Sequence, residues 1–469
     1  MAAKPRDEDA VSVPQAQRTA AALILDNPLR DLSGLTLAAA EIALRDGAAL
    51  LVPMYRQAVL FEWARPRALL VNYVRPSNSV LRRMAHERGV KVVVLETEGA
   101  PYVDLNMVAE GITSDADFAR LAAFLFWSET TRDAVRQTSS PEQAPLFEVT
   151  GHPRFDLLVE PLRSQALPFR QATNPIILFA TSFPIINNFA NHTPASEIIA
   201  FWESMRCTDF AALDWLPQTS MRLVFVIKAV RAVAEAYPQA RIVVRPHPFE
   251  NHKLYSSAFA DLDNVEVNAT GSSIEAVAGA SVFFHCRSNT GFEARALGVP
   301  TASIVPDGAP QKLPVDKTST EIHTLDELFS FIEEAFRGDA NQPEIPVEDY
   351  NYALGAHRGT AAVRVAEAVL KLADHQITPP ALNRLPQRKW ITGWQGFLRR
   401  GWNADEAERR KFFDAASVQQ WLNHWSAAYG RPEMRARNVV GRPFLDPPMP
   451  FGGAPLAIEI RPATFDKVA

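Results

Sequence analysis

Two polar clusters in the middle of the chain contain the residues whose types and spacing are best suited to chemistry. Each cluster follows a short apolar run of the kind that forms a buried strand, at 242–244 and at 282–284. The clusters comprise Arg245, Pro246, His247 and Pro248 in the first case, and Arg287, Ser288, Asn289, Thr290 and Gly291 in the second. Ligands of an open parallel sheet bind at the carboxyl ends of its strands. We therefore expect both clusters to face one crevice.

The second cluster matches the start of a helix that could bind an anion. Thr290 as N-cap and Glu293 three residues later fit a capping box. The first turn of such a helix presents free amides and the positive end of the helix dipole. Ser288 and Asn289 add hydroxyl and amide donors, and Gly291 would let a phosphate approach the backbone closely. The alternative is an ordinary capped helix without a ligand.

His247 is the most unusual residue of the first cluster, because it lies between two prolines. The prolines fix φ on both sides, so the turn is predicted to be stiff and to hold the histidine in one direction. Such a histidine could donate a proton, or bind phosphate in its charged form, with Arg245 as a second cation. The alternative is a loop histidine with a structural hydrogen bond.

The first half of the chain places polar residues after strand-like runs in the same way. Glu96 and Glu98 follow the almost purely aliphatic run 90–95. A partly desolvated glutamate at a strand end has a raised pKa and can act as a general base. A solvated acid or a helix cap is the alternative. The remaining candidates on this side, which would contact an acceptor, are Asn27, Arg30, Tyr73 and Arg75.

Composition excludes several classes of protein. The 469-residue chain has a net charge of −5, with 47% hydrophobic and 22% charged residues, so it is expected to be soluble and not to bind nucleic acid. Its two cysteines predict neither a disulfide framework nor a cysteine-rich metal site, and they favour a reducing compartment. The sequence shows no signal peptide and no apolar run of about 18 residues, which predicts a cytoplasmic protein.

Strand-like and helical segments alternate along most of the chain. This alternation predicts an α/β protein with doubly wound parallel sheets. We expect a disordered tail at 1–17, an N-terminal domain at 18–150 and a second domain at 151–374. The Gly and Pro residues at 151–153 mark the boundary between the two domains. Residues 375–469 are expected to form a helical extension and a proline-rich tail.

The segment 385–402 within that extension is basic and aromatic. This composition suits a helix that lies on anionic lipid at the inner face of a membrane. It equally suits a helix that packs against the two domains, and we favour this second interpretation.

Several motifs resemble those of a bacterial family, the surface carbohydrate (polysaccharide) biosynthesis proteins. They are DNPLRDL at 26–32, LVPMY at 51–55, NYVRPSN at 72–78, VVLETEG at 93–99, TGHPRFDLL at 150–158, ILFATSFP at 177–184, RPHPFE at 245–250 and RSNTGFEARALGVP at 287–300. The resemblance implies a GT-B-like architecture, in which two Rossmann-like domains face a crevice. Residues 375–469 carry no motif of this kind.

A more distant similarity connects the chain with bacterial sialyltransferases, polysialyltransferases and Kdo transferases, which use CMP-activated acidic sugars. Their acidic, His-Pro and Ser/Thr motifs are similar here to Glu98-Gly99, His247-Pro248, and Ser288 with Thr290. Teichoic-acid polymerases that use CDP-polyols share a similar His-Pro and Ser/Thr pair. Thr97 stands where these transferases have an acid, so both Glu96 and Glu98 are candidates for the base, and the stereochemistry stays open.

These resemblances imply a metal-independent glycosyltransferase without a cofactor. It would move a sugar from a nucleotide-sugar donor, such as a CMP-linked acidic sugar, to a surface polysaccharide of the capsule or lipopolysaccharide type or to a lipid-linked acceptor. Glu96 or Glu98 would deprotonate the acceptor, while His247, Arg245 and Arg287 would stabilise the leaving phosphate. The alternatives are a CDP-polyol phosphotransferase, a sugar-nucleotide epimerase and a non-catalytic glycan-assembly protein.

Overall fold

Two β-sheets form the framework of the protein. The computed structural model describes residues 21–54, 66–75, 78–97, 104–140, 145–167, 174–197, 199, 211–306, 315, 318–373, 411–439 and 457–464. The expected tail at 1–17, the candidate base Glu98 and the segment 385–402 lie outside these residues.

The first sheet joins strands from the N-terminal part of the chain to two strands from its C-terminal end. The strands are β1 (Ala21–Leu25), β2 (Ala49–Pro53), β3 (Ala68–Val71), β4 (Lys91–Leu95), β5 (Ala123–Phe126), β6 (Leu146–Val149), β13 (Met434–Val439) and β14 (Ala457–Pro462). Their order is β13-β14-β2-β1-β3-β4-β5-β6. The strands β1 to β6 pair in parallel, whereas β14 pairs antiparallel with both β2 and β13.

The second sheet is parallel throughout the described residues. Its strands are β7 (Ile176–Ala180), β8 (Arg241–Arg245), β9 (Val265–Val267), β10 (Val282–His285), β11 (Thr301–Ile304) and β12 (Thr320–Ile322). Their order is β12-β11-β10-β7-β8-β9, which is the strand order of a Rossmann domain.

Each sheet has a topological switch point, where the chain changes the side on which it adds strands. In the first sheet this point lies between β1 and β3, and in the second it lies between β7 and β10. Open α/β sheets bind their ligands in the crevice outside the carboxyl ends of the strands at such a point. A ligand site is therefore expected at the loops that follow these four strands.

Helices connect most of the strands. They are α1 (Pro28–Asp46), α2 (Ser79–Glu87), α3 (Leu105–Thr113), α4 (Glu129–Thr138), α5 (Leu162–Ala166), α6 (Ala211–Ala236), α7 (His252–Ala258), α8 (Ser273–Ala278), α9 (Thr290–Ala296), α10 (Leu325–Arg337), α11 (Val347–Leu354), α12 (Ala361–Ala373) and α13 (Ala415–Tyr429). A 3-10 turn spans Pro153–Leu158. The first helix begins at Pro28, because Asn27 caps it and Pro28 fits its first position.

Hydrophobic packing holds the two sheets together. β1, β2 and β3 are buried at every position, as expected for parallel strands covered on both faces. One hydrophobic cluster covers a face of each sheet and continues between them, so that Leu23 of β1 and Leu178 of β7 belong to the same core. Arg163 also donates a hydrogen bond to the Leu297 carbonyl at 3.0 Å. The two domains therefore share one interior.

The C-terminal part of the chain packs on the first domain. Both α12 and α13 lie against α1, and the buried Trp425 donates from Nε1 to Oε1 of Glu41 at 3.0 Å. From its sequence, α12 is expected to belong to the second domain, and residues 375–469 are expected to form a helical extension and a proline-rich tail. The described residues of the extension contain a helix and also the β13–β14 pair, which widens the first sheet beyond β2.

A parallel second sheet and a first sheet that is parallel from β1 to β6, both Rossmann-like, confirm the expected α/β fold class and its GT-B-like architecture. The domain boundary near residue 150 stays a prediction. Within the part of the chain that the structure describes, no helix is long and apolar enough to cross a membrane.

Candidate active site

A buried carboxylate holds the His-Pro loop that follows β8. Glu250 is fully buried and accepts hydrogen bonds from the hydroxyl of Thr181 (2.9 Å), the backbone N–H of Phe183 (3.0 Å) and the backbone N–H of His247 (3.1 Å). Tyr255 donates a further bond through its hydroxyl. Burial raises the pKa of Glu250, and these hydrogen bonds act in the opposite direction. One side chain thus joins the loop after β8 to the loop after β7.

His247 has a defined orientation within this loop. Its Nδ1 accepts a hydrogen bond from the backbone N–H of Phe249 at 3.3 Å. A neutral imidazole that accepts at Nδ1 carries its proton on Nε2. The ring can therefore donate a proton or a hydrogen bond through Nε2 towards a ligand.

Arg245 spans two neighbouring strand ends. Its guanidinium donates to the backbone carbonyls of Thr270 and Gly271, both at 2.7 Å, in the loop after β9. Burial lowers the pKa of Arg245, and the carboxylates of Glu275 and Glu293 act in the opposite direction. The arginine ties the His-Pro loop to the start of α8, which is capped by a capping box of Ser272 and Glu275.

The loop after β10 is organised differently from the sequence prediction. The helix α9 begins at Thr290 after Asn289, which makes no side-chain capping bond. Ser288 Oγ accepts from the backbone N–H of Thr290 at 3.3 Å and donates to its hydroxyl at 3.1 Å. The predicted capping box of Thr290 and Glu293 is therefore wrong. The capping box does not form because Glu293 interacts instead with partners elsewhere in the fold.

Those partners lie on α8 and on the 3-10 turn after β6. Glu293 is buried, accepts from the hydroxyl of Ser273 at 3.0 Å and lies 3.8 Å from the guanidinium of Arg154. Burial raises its pKa, while Arg154 and Ser273 act in the opposite direction. Arg154 stacks near Trp127 and Phe155, with its guanidinium carbon 4.9 and 4.4 Å from their ring centres. Glu293 thus serves the domain junction and does not cap its own helix.

A buried histidine supports the same loop. His285 is fully buried at the end of β10, and its Nδ1 accepts from the backbone N–H of Ser288 at 3.3 Å. Its Nε2 lies 2.9 Å from Ser319 Oγ, to which it donates in this tautomer. A Cβ atom on Gly291 would lie only 2.8 Å from His285 Nε2 and 2.9 Å from Val315 Cγ2. The space at Gly291 is therefore occupied by the core, and the proposal that it admits a phosphate remains untested.

Arg287 has a strained backbone in this loop, with a left-handed φ of 56°. Positive φ is uncommon outside glycine, and such strain is concentrated at functional sites. The residue is partly exposed. It therefore remains a candidate for contact with a ligand.

The loop after β1 carries a cluster of charges at the first switch point. Arg30 pairs with the buried Asp31 at 2.7 Å and lies 3.5 Å from Asp26. It also donates to the hydroxyl of Thr97, in the loop after β4, at 3.1 Å. Asn27 accepts from the backbone N–H of Leu29 at 3.1 Å and caps α1. Two of the predicted acceptor-side residues therefore lie on the first turn of α1 or next to it.

The other two acceptor-side candidates, Tyr73 and Arg75, contact each other after β3. The guanidinium carbon of Arg75 lies 4.6 Å from the centre of the Tyr73 ring. The Tyr73 hydroxyl lies 3.5 Å from the sulfur of Met54. Tyr73 and Arg75 follow β3, whereas Asn27 follows β1, so they lie on the two sides of the first switch point.

Glu96 is buried directly after β4. Its backbone carbonyl accepts a hydrogen bond from Trp127 Nε1 at 2.5 Å. The hydroxyl of the next residue, Thr97, accepts the hydrogen bond from Arg30. Arg154 also donates to the Thr97 carbonyl at 3.4 Å. The loop after β4 is therefore anchored at the domain junction, and the choice between Glu96 and Glu98 as the base stays open.

A cavity of about 340 Å³ lies between the two domains. The first domain contributes Asn27 and Leu29 to its wall. The second domain contributes Phe189, Pro248, Phe249, His252 and residues 267–270, and the C-terminal extension contributes Lys411. The His-Pro loop and the β1 loop thus meet at one cavity.

A second cavity, of about 380 Å³, lies beside Arg245 on the second sheet, between β8 and α8. Of the predicted site residues, Asn27 lines the first cavity and Arg245 the second. Neither cavity is lined by His247, Glu96, Arg30, Arg287, the Ser288–Thr290 cluster, Tyr73 or Arg75. The structure therefore brings the His-Pro loop and Asn27 together, whereas the Ser288–Thr290 cluster, Tyr73 and Arg75 occupy separate loops around the switch points.

Sequence reasoning missed four residues that organise the site: Glu250, His285, Arg154 and Lys411. Glu250 and Arg154 lie within the resembling motifs RPHPFE and TGHPRFDLL, so their motifs contained a signal that the pattern analysis did not use. Lys411 has no local signal, because its partner Asp26 lies 385 residues away, and His285 contacts Ser319, which is 34 residues away, as well as the nearby Ser288. Among the described residues, no group of three or more His, Cys, Asp or Glu side chains could hold a metal ion.

No protein-family model and no curated protein matches the chain. Solved structures with a similar fold include the UDP-GlcNAc 2-epimerase of Methanocaldococcus jannaschii, at 11% identity over 75% of this chain and 99% of that chain, with a TM-score of 0.46. The UDP-GlcNAc 2-epimerase of Neisseria meningitidis has 14% identity over 75% and 100%, with a TM-score of 0.44. The wall teichoic acid polymerase TagF has 11% identity over 77% and 90%, with a TM-score of 0.44. All three TM-scores are below 0.5, so the fold assignment rests on the strand orders given above.

Proposed function

We propose that the protein is a glycosyltransferase that moves a sugar from a nucleotide-sugar donor to a glycan or lipid-linked acceptor. The observation that carries this proposal is the interdomain cavity, where the His-Pro loop of one sheet meets the β1 loop of the other. Two substrates can approach such a cavity from two domains, as transfer between a donor and an acceptor requires.

The second domain would bind the donor. With its Nδ1 accepting from the Phe249 backbone N–H, the His247 ring would donate through Nε2 and stabilise the negative charge that develops on a leaving phosphate. Arg287, with its strained backbone, and the hydroxyls of Ser288 and Thr290 are the further candidates for phosphate contacts. Arg245 would act mainly by holding the loop, because its guanidinium is engaged by two carbonyls.

The first domain would bind the acceptor and supply the base. Glu96 follows β4 and Glu98 follows two residues later, so either could remove the proton from an acceptor hydroxyl. Asn27 and Arg30 would position the acceptor from the β1 loop. A surface polysaccharide as acceptor and a CMP-linked acidic sugar as donor are supported by the motif resemblance alone.

The first test is nucleotide binding by thermal shift. The wild type and the variants His247→Ala and His86→Ala would be titrated with CMP, CDP, UDP and GDP. His86 is an exposed residue at the end of α2 and serves as the matched control. A ligand that binds the native state alone raises the melting temperature. We expect CMP or CDP to stabilise the wild type and the control.

Turnover is then measured as release of the nucleotide from its sugar in the presence of acceptor. We expect His247→Ala to lower the rate by about 10²-fold or more, as is typical when one charge-stabilising donor is removed. A wild type that no nucleotide stabilises would rule the proposal out. Stabilisation by UDP together with conversion of UDP-GlcNAc into its epimer, without transfer, would identify an epimerase instead.

A further inference from the structure

The C-terminal extension contributes a cation to the interdomain cavity. Lys411 lines this cavity, although it is separated from the two loops that it contacts by more than a hundred residues of sequence. The resembling motifs do not include it. Its role rests on the proposed function, because it concerns the same cavity.

Lys411 is held at this place by rigid structure. Phe413, two residues after Lys411, is buried in the core that both domains share. Asp414 then caps α13, accepting from the backbone N–H of Ser417 at 2.8 Å. The helix α13 packs on α1. The lysine therefore occupies a fixed position relative to the β1 loop.

The ammonium group of Lys411 bridges the two domains. Its Nζ lies 2.7 Å from Oδ1 of Asp26, at the end of β1, and 5.5 Å from the centre of the Phe249 ring in the His-Pro loop. An ammonium has three N–H donors, and Asp26 engages one of them in this geometry. Asp26 also has a second cation, Arg30, at 3.5 Å. The ammonium can therefore donate a hydrogen bond to a second anionic group, one that a ligand in the cavity would supply.

The cavity wall favours such an anion. Among the described residues that line it, Lys411 and His252 can carry positive charge, and none is an acid. The ring of Phe249, which is 42% exposed, forms an apolar surface beside the ammonium. A ligand with a negatively charged group next to an apolar face complements this wall.

We propose that Lys411 determines specificity by binding the phosphate or carboxylate of the ligand that occupies the interdomain cavity. A phosphate would come from the nucleotide donor or a lipid-linked acceptor, and a carboxylate would come from an acidic sugar. In the absence of the ligand, Asp26 holds the ammonium ready in the cavity.

The test measures binding of simple anions to the full chain by calorimetry. The probes are inorganic pyrophosphate, for a phosphate contact, and N-acetylneuraminate, for a carboxylate contact. We expect Lys411→Met to weaken at least one of them about tenfold or more, and Lys411→Arg to restore most of the affinity. The control Lys228→Met changes an exposed lysine on α6 and is expected to bind like the wild type.

A second variant distinguishes the loss of the anion contact from the loss of the fold. Lys411→Met leaves Asp26 buried without its ammonium, which can destabilise the protein by itself. The double variant Lys411→Met with Asp26→Asn removes both charges together and is expected to fold, yet to lose the same affinity. The probe that loses affinity identifies the group, phosphate or carboxylate, that Lys411 binds.

The outcomes separate this inference from the proposed function. If the folded double variant binds both probes as the wild type does, or if the wild type binds neither, Lys411 does not bind the ligand. If Lys411-dependent anion binding is found but no nucleotide stabilises the wild type and no sugar is transferred, the inference stands and the glycosyltransferase proposal fails.

Discussion

At the scale of single residues, the candidate loops depend on buried polar side chains behind them. Glu250 holds the His-Pro loop through backbone and hydroxyl donors. His285 accepts at Nδ1 from the loop after β10 and contacts Ser319, just before β12, through Nε2. Burial lowers the pKa of His285 to about 3, so it is neutral at physiological pH and acts as a fixed donor and acceptor. Removing a partner from such a buried pair costs more than the bond itself contributes.

The contact between Gly291 and His285 predicts a specific steric cost. Gly291→Ala would place a Cβ atom 2.8 Å from His285 Nε2, so we expect the free energy of unfolding to fall by about 1 to 3 kcal/mol. The matched control is Gly111→Ala on α3, where a new Cβ meets no atom within 4 Å and alanine is the better helix former. Urea unfolding of both variants measures the difference. Equal stability of the two would contradict the packing described here.

At the scale of elements, a buried carboxylate joins the 3-10 turn after β6 to the start of α12. Asp156 accepts from the backbone N–H groups of Gly359 (2.6 Å), Ala361 (3.1 Å) and Ala362 (2.9 Å). It therefore satisfies amides at the start of a helix that lies some two hundred residues further along the chain. The two segments that it joins lie near the two ends of the second domain as predicted from the sequence, 151–374.

Asp156 also predicts a pH dependence of stability. Burial raises its pKa from 3.8 to about 7, so the folded state binds a proton that the unfolded state releases. The stability that this proton contributes is fully present below about pH 3.8 and is lost as the pH rises towards 7. We expect the stability advantage of the wild type over Asp156→Asn to be larger at pH 4 than at pH 7.5.

Chemical unfolding of both proteins between pH 4 and pH 8 measures this difference. The control is Asp326→Asn, an exposed aspartate at the start of α10. Its pH profile is expected to follow that of the wild type. An advantage over Asp156→Asn that stays constant with pH, or grows towards pH 7.5, would show that the carboxyl is ionised throughout the range.

At the scale of the whole molecule, the C-terminal extension is part of the first domain. Trp421 and Trp425 of α13 belong to the core that also contains α1 and the interdomain residues. The antiparallel pairing of β14 with β2 covers an edge of the first sheet. Exposed strand edges and large apolar surfaces both favour aggregation.

Truncation after residue 373 tests this arrangement. The truncated chain would expose the α13 side of α1 and the free edge of β2, so we expect it to aggregate or to melt at a clearly lower temperature. Size-exclusion chromatography with light scattering and thermal unfolding are the measurements. A chain truncated after residue 464 retains every described element and serves as control. A monomeric 1–373 chain with the melting temperature of the wild type would mean that the extension is an independent appendage.

Local signals in the sequence were sufficient for the fold class. Continuous aliphatic runs such as 21–25 and 91–95 form buried parallel strands because both of their faces must be covered. The Ser272–Glu275 capping box was predictable for the same reason, since both partners lie within one helical turn. The cap at Asn27, followed by Pro28, was an equally local signal for the start of α1.

Tertiary structure decided what depended on distant partners. Glu293 matches a capping box in the sequence, yet it serves Ser273 and Arg154, which the fold brings next to it. The strand β13 contains two arginines, Arg435 and Arg437, and joins the first sheet only because β14 pairs with β2. The sequence alone thus determined the α/β fold and the loops that carry the candidate chemistry. Only the tertiary structure brought Lys411 to the cavity between them, because chain distance does not limit which residues a folded core places in contact.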